Sequence, residues 1–250
     1  MLELFAGSGR FGREAARSGH LVVLIDIRFG EKHDVRRREL QRTILEWIRI
    51  GWVTYAALAL PCCSWSRARN RGGGPQRLRT AEHIMGLPTL DHESERWKID
   101  LGNVCMRFGV ACARALHARS AGFFIENPWT SWMWVAPPMV RLAALRGCRL
   151  VRSDFCQFGT PWRKSTGVLT NGPPHFVNLV CRGPKPGVCS RTLCRHVHLE
   201  GTDGAGRFLT SLAEPYPRPF CKALVAMLNF YEKHCEGEAF YAGGLTSVRR

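Results

Sequence analysis

The sequence predicts an α/β fold built on a mostly parallel central sheet. Strand and helix patterns alternate from Leu2 to Leu60, as they do where crossover helices join parallel strands. Several apolar runs end on residues that can do chemistry: Gly7, Asp26, Pro61-Cys62 and Glu126-Asn127. The 250 residues are 45% hydrophobic, enough for one large domain with a sizeable core, which argues against global disorder.

Each element has its own signal. "LELFAG" is a short apolar strand closing on Gly7, and "SGRFGREAARSG" turns into a helix that stops near Gly19. "LVVLIDI" is rich in β-branched residues and reads as a buried strand ending at Asp26. In "VRRRELQRTILEWIRIG" the apolar positions Leu40, Ile44, Leu45, Trp47 and Ile48 fall at helical spacing, with arginines opposite. "WVTYAALAL" is a strand running into Pro61, followed by the basic, glycine-rich loop "RNRGGGPQRLRT". "IDLGNVCMRFGVACARALHARSAG" reads as a helix, "FFIEN" as a buried strand, and "CRLVRSDFCQFGTP" with "STGVLTN" as two strands joined by a turn. From Gly172 to Gly206 no period emerges from a Pro-, Gly-, Cys- and Arg-rich composition, and "RPFCKALVAMLNFYEKHC" closes the domain as a helix. The expected organisation is a catalytic domain over 1–171, a short insertion over 172–212, a closing helix over 213–235 and a tail over 236–250.

Charge narrows the partners. Lys and Arg number 36 against 20 Asp and Glu, a formal charge of +16, which favours polyanions and nucleic acid first. No stretch approaches the length of an apolar membrane span, so no membrane partner is expected. A glycine-rich turn stands where the apolar part of a signal peptide would lie. The 11 cysteines are therefore expected to be reduced thiols of an intracellular protein, in nucleus or cytoplasm.

Phe5-Ala6-Gly7-Ser8-Gly9 lets the backbone approach a ligand at a helix N-terminus, and Asp26 at the next strand end can accept hydrogen bonds from a ribose diol. Asp34 is a further acceptor for an adenosine group. A tight structural turn is the plainer alternative. The lysine of a Walker-type loop is missing, which argues against ATP hydrolysis. In a parallel sheet the loop after Pro61 opens at the same carboxyl edge as the glycine turn. There Cys62 is either a nucleophile, activated by Arg67, Arg69 and Arg71, or a small buried hydrophobe; adjacent cysteines make poor chelators of one metal. Glu126 emerges from the next apolar strand among Trp129, Trp132 and Trp134, where it can hydrogen-bond a ring nitrogen; the tryptophans either stack on a base or, as aromatic clusters more often do, belong to the core.

Taken in order, these motifs resemble the cytosine-5 DNA methyltransferases. "LFAGSGRFG" is similar to their cofactor loop, "PCCSWS" to the nucleophile motif at Pro61, Cys62 and Ser66, and "ENP" to the family's E-N-V. "FGTPWRK" is similar to Y-G-V-P-Q-R-R at Gly159, Pro161 and Arg163, and "AEPYPRPFCKAL" more loosely to the closing segment. The resemblance implies a Rossmann-like fold dependent on S-adenosyl-L-methionine, with Phe5, Gly7, Gly9, Asp26 and Asp34 on the cofactor. It implies that the Cys62 thiolate adds to cytosine C6, that Glu126 engages N3 and that Arg163 orients the base. The base would leave the duplex to be reached. DNA is the favoured substrate, with RNA as the alternative.

The chain departs from the family pattern in three places. Thr166 replaces a further arginine, Cys63 replaces glutamine, and about 40 residues, from Asn171 to Tyr216, replace a large target-recognition domain. Sequence specificity is thus expected to be slight or supplied by a protein partner. Two other readings stand beside this one. Asn127-Pro128-Trp129 partly matches the N-P-P-[YFW] motif of methyltransferases acting on exocyclic nitrogens, and Thr166 with the short insertion suits a nucleic-acid-binding protein that has lost catalysis. Cys181, Cys189, Cys194, His196 and His198 lack zinc-finger spacing. Alternation would set the last three on one face of a strand, but the segment is read as a basic, metal-free loop.

Overall fold

The computed structural model describes residues 1–67, 76–206 and 208–239. The chain forms an α/β domain around one six-stranded sheet: β1 (Leu2–Leu4), β2 (Val23–Ile25), β3 (Tyr55–Ala59), β4 (Gly122–Pro128), β5 (Arg149–Asp154) and β6 (Ser165–Thr170). The strand order is β2-β1-β3-β4-β6-β5. β2, β1, β3 and β4 run parallel, while β6 lies antiparallel to both β4 and β5. Order reverses at β1, whose two neighbours are β2 and β3. A crevice therefore opens beyond the carboxyl ends of β1 and β3, the place where ligands enter open α/β sheets.

The period-two alternation of the strands divides the core. From β3, Ala56 and Leu58 face one layer, with Phe123 and Ile125 of β4 beside them. That layer holds α2 (Arg38–Arg49), α3 (Glu93–Ala118) and α4 (Pro137–Ala143). Tyr55, Ala57 and Phe124 face the other, against α1 (Arg10–Arg17) and α5 (Arg218–Ala239). Phe124 sits in the second layer with the Phe11 ring edge-on at 5.3 Å, and each such buried side chain contributes about 2 kcal/mol.

The helices follow from their sequences. Ile44 and Ile48 of α2 are buried, as their spacing requires, with Leu40, Leu45 and Trp47 packed partly against the same core. α4 begins on Pro137-Pro138, whose fixed φ suits a first turn. α3 starts six residues earlier than its apolar pattern suggests, because His92 precedes a first turn carrying Glu93 and Glu95. α5 continues past the expected 235 to Ala239.

One expectation needs correction. "LVVLIDI" is not a buried strand: β2 is three residues long, with Val23 45% and Leu21 90% exposed. The cause is its position at the sheet edge, where only one neighbour covers it. In the insertion, no strand aligns Cys194, His196 and His198; Cys194 and His198 are exposed, whereas His196 is buried. No helix among the described residues is long and apolar enough to cross a membrane.

Candidate active site

At the carboxyl end of β1 the chain turns through Phe5, Gly7 and Gly9, all with φ between 53° and 60°. This left-handed conformation suits glycine and strains Phe5. Asp26, buried just beyond β2, holds the turn: one carboxylate oxygen accepts the Gly7 N–H at 2.7 Å and the other the Arg28 N–H at 2.9 Å. Phe5, Gly7, Gly9 and Asp26 thus stand together, and each Asp26 oxygen retains lone pairs. Asp34 instead grips Arg36 through both oxygens at 2.6–3.0 Å, and that guanidinium holds its carboxyl below the usual carboxylate range despite some burial. No contact joins Asp34 to the glycine turn among the described residues.

Pro61 ends β3, and the chain folds over Cys62, whose carbonyl accepts the N–H groups of Trp65 and Ser66 at 3.0 Å. Arg79, only 1% exposed, braces this loop with five hydrogen bonds. Its guanidinium donates to Ser64 O and Oγ, Ile84 O, Ile99 O and Asn103 Oδ1, and stacks 3.4 Å above Trp65. Burial brings Arg79 down to about 10, so it stays charged at neutral pH. Sequence gave no hint of this arginine, because nothing in its neighbours marks it as buried.

Cys62 reaches solvent and lines a cavity of about 720 Å³. Glu126 lies in the same wall, at the end of the adjacent parallel strand β4. Tyr216 donates to Glu126 Oε2 at 3.2 Å, while Oε1 is buried without a hydrogen-bond partner, 3.9 Å from Lys164 Nζ. Surrounding protein raises the Cys62 thiol to about 11; the nearby Glu126 charge adds to the rise and Lys164 opposes it. The resting sulfur is a thiol. Of the cations expected to activate Cys62, Arg67 stacks on Trp132 at 3.8 Å and Arg69 and Arg71 lie outside the described residues; Lys164 is a further cation, one that sequence reasoning did not name in this role, and it favours the Cys62 thiolate.

Arg163 also lines the cavity, held by the buried Asp154 at 3.3 Å and by the Cys181 carbonyl at 3.4 Å. The tryptophans after Glu126 do not form an aromatic wall. Trp134 covers Gly167 and donates to Pro128 O, Trp132 carries Arg67, and neither lines the cavity; Trp162 does. The Gly-Thr-Pro-Trp-Arg order could have pointed to Trp162, which stands beside Arg163 in the chain. Asn127 is fully buried and donates to Leu60 O at 2.7 Å, tying β4 to the strand end before Cys62. Thr166 is buried within β6 rather than presented to the cavity.

The insertion supplies the remaining wall through Gly187, His196, Val197, His198, Leu199 and Glu200. Glu214, also in the wall, pairs with Arg28 at 3.9 Å and so links the cavity to the turn around Asp26. No family model, curated protein or solved structure matches this chain.

Proposed function

We propose that the chain is a Rossmann-like methyltransferase that uses S-adenosyl-L-methionine to methylate cytosine C5 in DNA through a covalent adduct on Cys62. One observation carries the reading: Cys62 and Glu126 line one cavity from the ends of neighbouring parallel strands, and one oxygen of that carboxyl group has no hydrogen-bond partner. A nucleophile and a hydrogen-bonding carboxylate so placed can grip the two reacting edges of a pyrimidine.

The residues present fit the cofactor: the left-handed turn opens at the point of strand reversal, and Asp26 keeps acceptor capacity for a ribose diol. When bound, this group supplies an electrophilic methyl. The protein's part is to make C5 nucleophilic. Cys62 gives its proton to solvent, which its sulfur reaches, and the thiolate bonds to C6, which shifts the C5–C6 π electrons toward C5. Glu126, held by Tyr216 through Oε2, engages N3 in its acid form, donating the O–H proton that N3, itself an acceptor, needs. Lys164 favours the thiolate, Arg163 orients the base and Trp162 offers it a face. Once C5 is methylated, a base such as water takes its proton, the C5–H electrons restore the C5–C6 double bond, and the C6–S bond breaks to release the Cys62 thiolate.

The exocyclic-nitrogen reading is weaker, because Asn127 is buried and its amide donates to Leu60 O instead of facing the cavity. The formal charge of +16 supports nucleic acid as partner. Transfer of labelled methyl to mixed DNA and RNA, read by nucleoside mass spectrometry, tests the proposal. Label in 5-methylcytosine from DNA is expected. Label on an exocyclic nitrogen, or in RNA alone, contradicts it.

A further inference from the structure

Residues 181–200 pose a folding problem. Within them only Cys181, Cys189 and His196 are buried. These side chains meet Cys156, from the turn after β5, in a group whose ligand atoms all lie within 4.8 Å of one another. No aliphatic or aromatic side chain joins the three cysteines in their cluster among the described residues. Three small thiols and one imidazole bury too little apolar area to offset the ordering of twenty residues at about 1 kcal/mol or more each. Short segments of this kind are held by a staple of another sort, and three sulfurs with an imidazole suit one metal ion.

We propose that Cys156, Cys181, Cys189 and His196 bind one structural Zn²⁺ that fastens the insertion to the catalytic domain. A tetrahedral zinc site sets its ligand atoms about 3.5–3.8 Å apart, and Cys181 Sγ already stands 3.7 Å from His196 Nε2. The surroundings match thiolate ligands. Ser190 N–H points at Cys181 Sγ from 3.3 Å, the N–H groups of Arg191 and Thr192 serve Cys189, and Gln157 Nε2 reaches Cys156 Sγ at 3.5 Å and Cys189 Sγ at 3.8 Å. Zinc displaces three thiol protons and leaves the complex with one net negative charge, among Arg182, Arg191 and Arg195 of the same segment. Spacing alone hides the set, because Cys156 belongs to another element and Cys194 and His198 turn outward. Four closed protein ligands leave no open position, so the ion is structural rather than catalytic. Its consequence for the cavity is direct: His196 and its neighbours Val197 to Glu200 form one wall. The metal site does not depend on the methylation reading.

Metal analysis of the purified full chain tests this, with cobalt substitution as a second measurement. The expected result is about one zinc per chain, retained in Cys194→Ser and lost in Cys156→Ser and Cys189→Ser. Cobalt should give the thiolate charge-transfer and d–d bands of a tetrahedral site in the unmutated protein, which keeps the test open if a variant fails to fold. Chelation should speed proteolysis within 181–200. Folded protein that takes up neither zinc nor cobalt overturns the proposal. So does zinc retained in Cys156→Ser, or an intact mass showing a disulfide among these cysteines.

Discussion

At Cys62 a solvent-reachable sulfur sits beside one carboxylate and one ammonium, and these two charges act on it in opposite directions. The thiol, raised to about 11, should alkylate slowly near neutrality and faster as pH climbs toward that value, since only the thiolate attacks. Iodoacetamide labelling of the Cys62 peptide across pH measures this. Lys164→Met should move the midpoint up and Glu126→Gln should move it down; shifts of the opposite sign would mean that neither charge faces the sulfur. Tyr216→Phe removes the hydrogen bond that fixes Glu126 Oε2. A loss of about tenfold in kcat/KM is expected, the worth of one hydrogen bond to a charged group. Cys62 and Glu126 were readable in the sequence because each ends an apolar run that predicts a strand. Lys164 as a cation near Cys62 was not, since that depends on how β6 pairs with β4 across a chain reversal, whereas Trp162 had a signal in its place beside Arg163.

Two buried charged side chains hold the elements around the site. Arg79 joins the Cys62 loop to α3, and replacing it with leucine removes its hydrogen bonds to Ser64, Ile84, Ile99 and Asn103. We expect a loss of about 3 kcal/mol in urea unfolding, from several charged hydrogen bonds removed at once. Asp154 ties β5 to the insertion, accepting from Arg152 Nε and Nη2, from Arg163 Nε and from the Cys181 N–H. Burial alone would raise its carboxyl, but these partners outweigh it and hold the group below the usual carboxylate range. Because the folded value is depressed, its contribution is present above the unfolded value of about 3.9 and disappears as pH falls through the folded value. The stability gap between the unmutated chain and Asp154→Asn should therefore be widest near neutral pH and close in acid. A gap that widens in acid would contradict this sign. The order of strands and helices was legible from apolar runs and helical spacing. Burial of β2 was misread because "LVVLIDI" looks the same in the middle of a sheet as at its edge, and only pairing tells them apart.

Across the whole molecule, the sheet brings three loops distant in sequence to one edge: the glycine turn, the Pro61-Cys62 loop and the end of β4. That convergence could be anticipated from the strand–helix alternation, which forces the strand ends to one side. The insertion could not, because its buried residues find their fourth partner, Cys156, in a different part of the chain. With a formal charge of +16, the proposed binding of DNA should be strongly salt-dependent, with a steep linear fall of log K against log salt. Affinity that ignores salt would remove the electrostatic basis for a nucleic-acid partner. The central claim concerns one sulfur and one carbon. Incubation with S-adenosyl-L-methionine and DNA carrying 5-fluorocytosine, which lacks the proton whose loss would release the enzyme, should trap a complex that survives denaturation. Peptide mass spectrometry should place the modified base on Cys62, and Cys62→Ala should form none. A complex on another residue, or one that persists in Cys62→Ala, would contradict the assignment of Cys62 as the nucleophile.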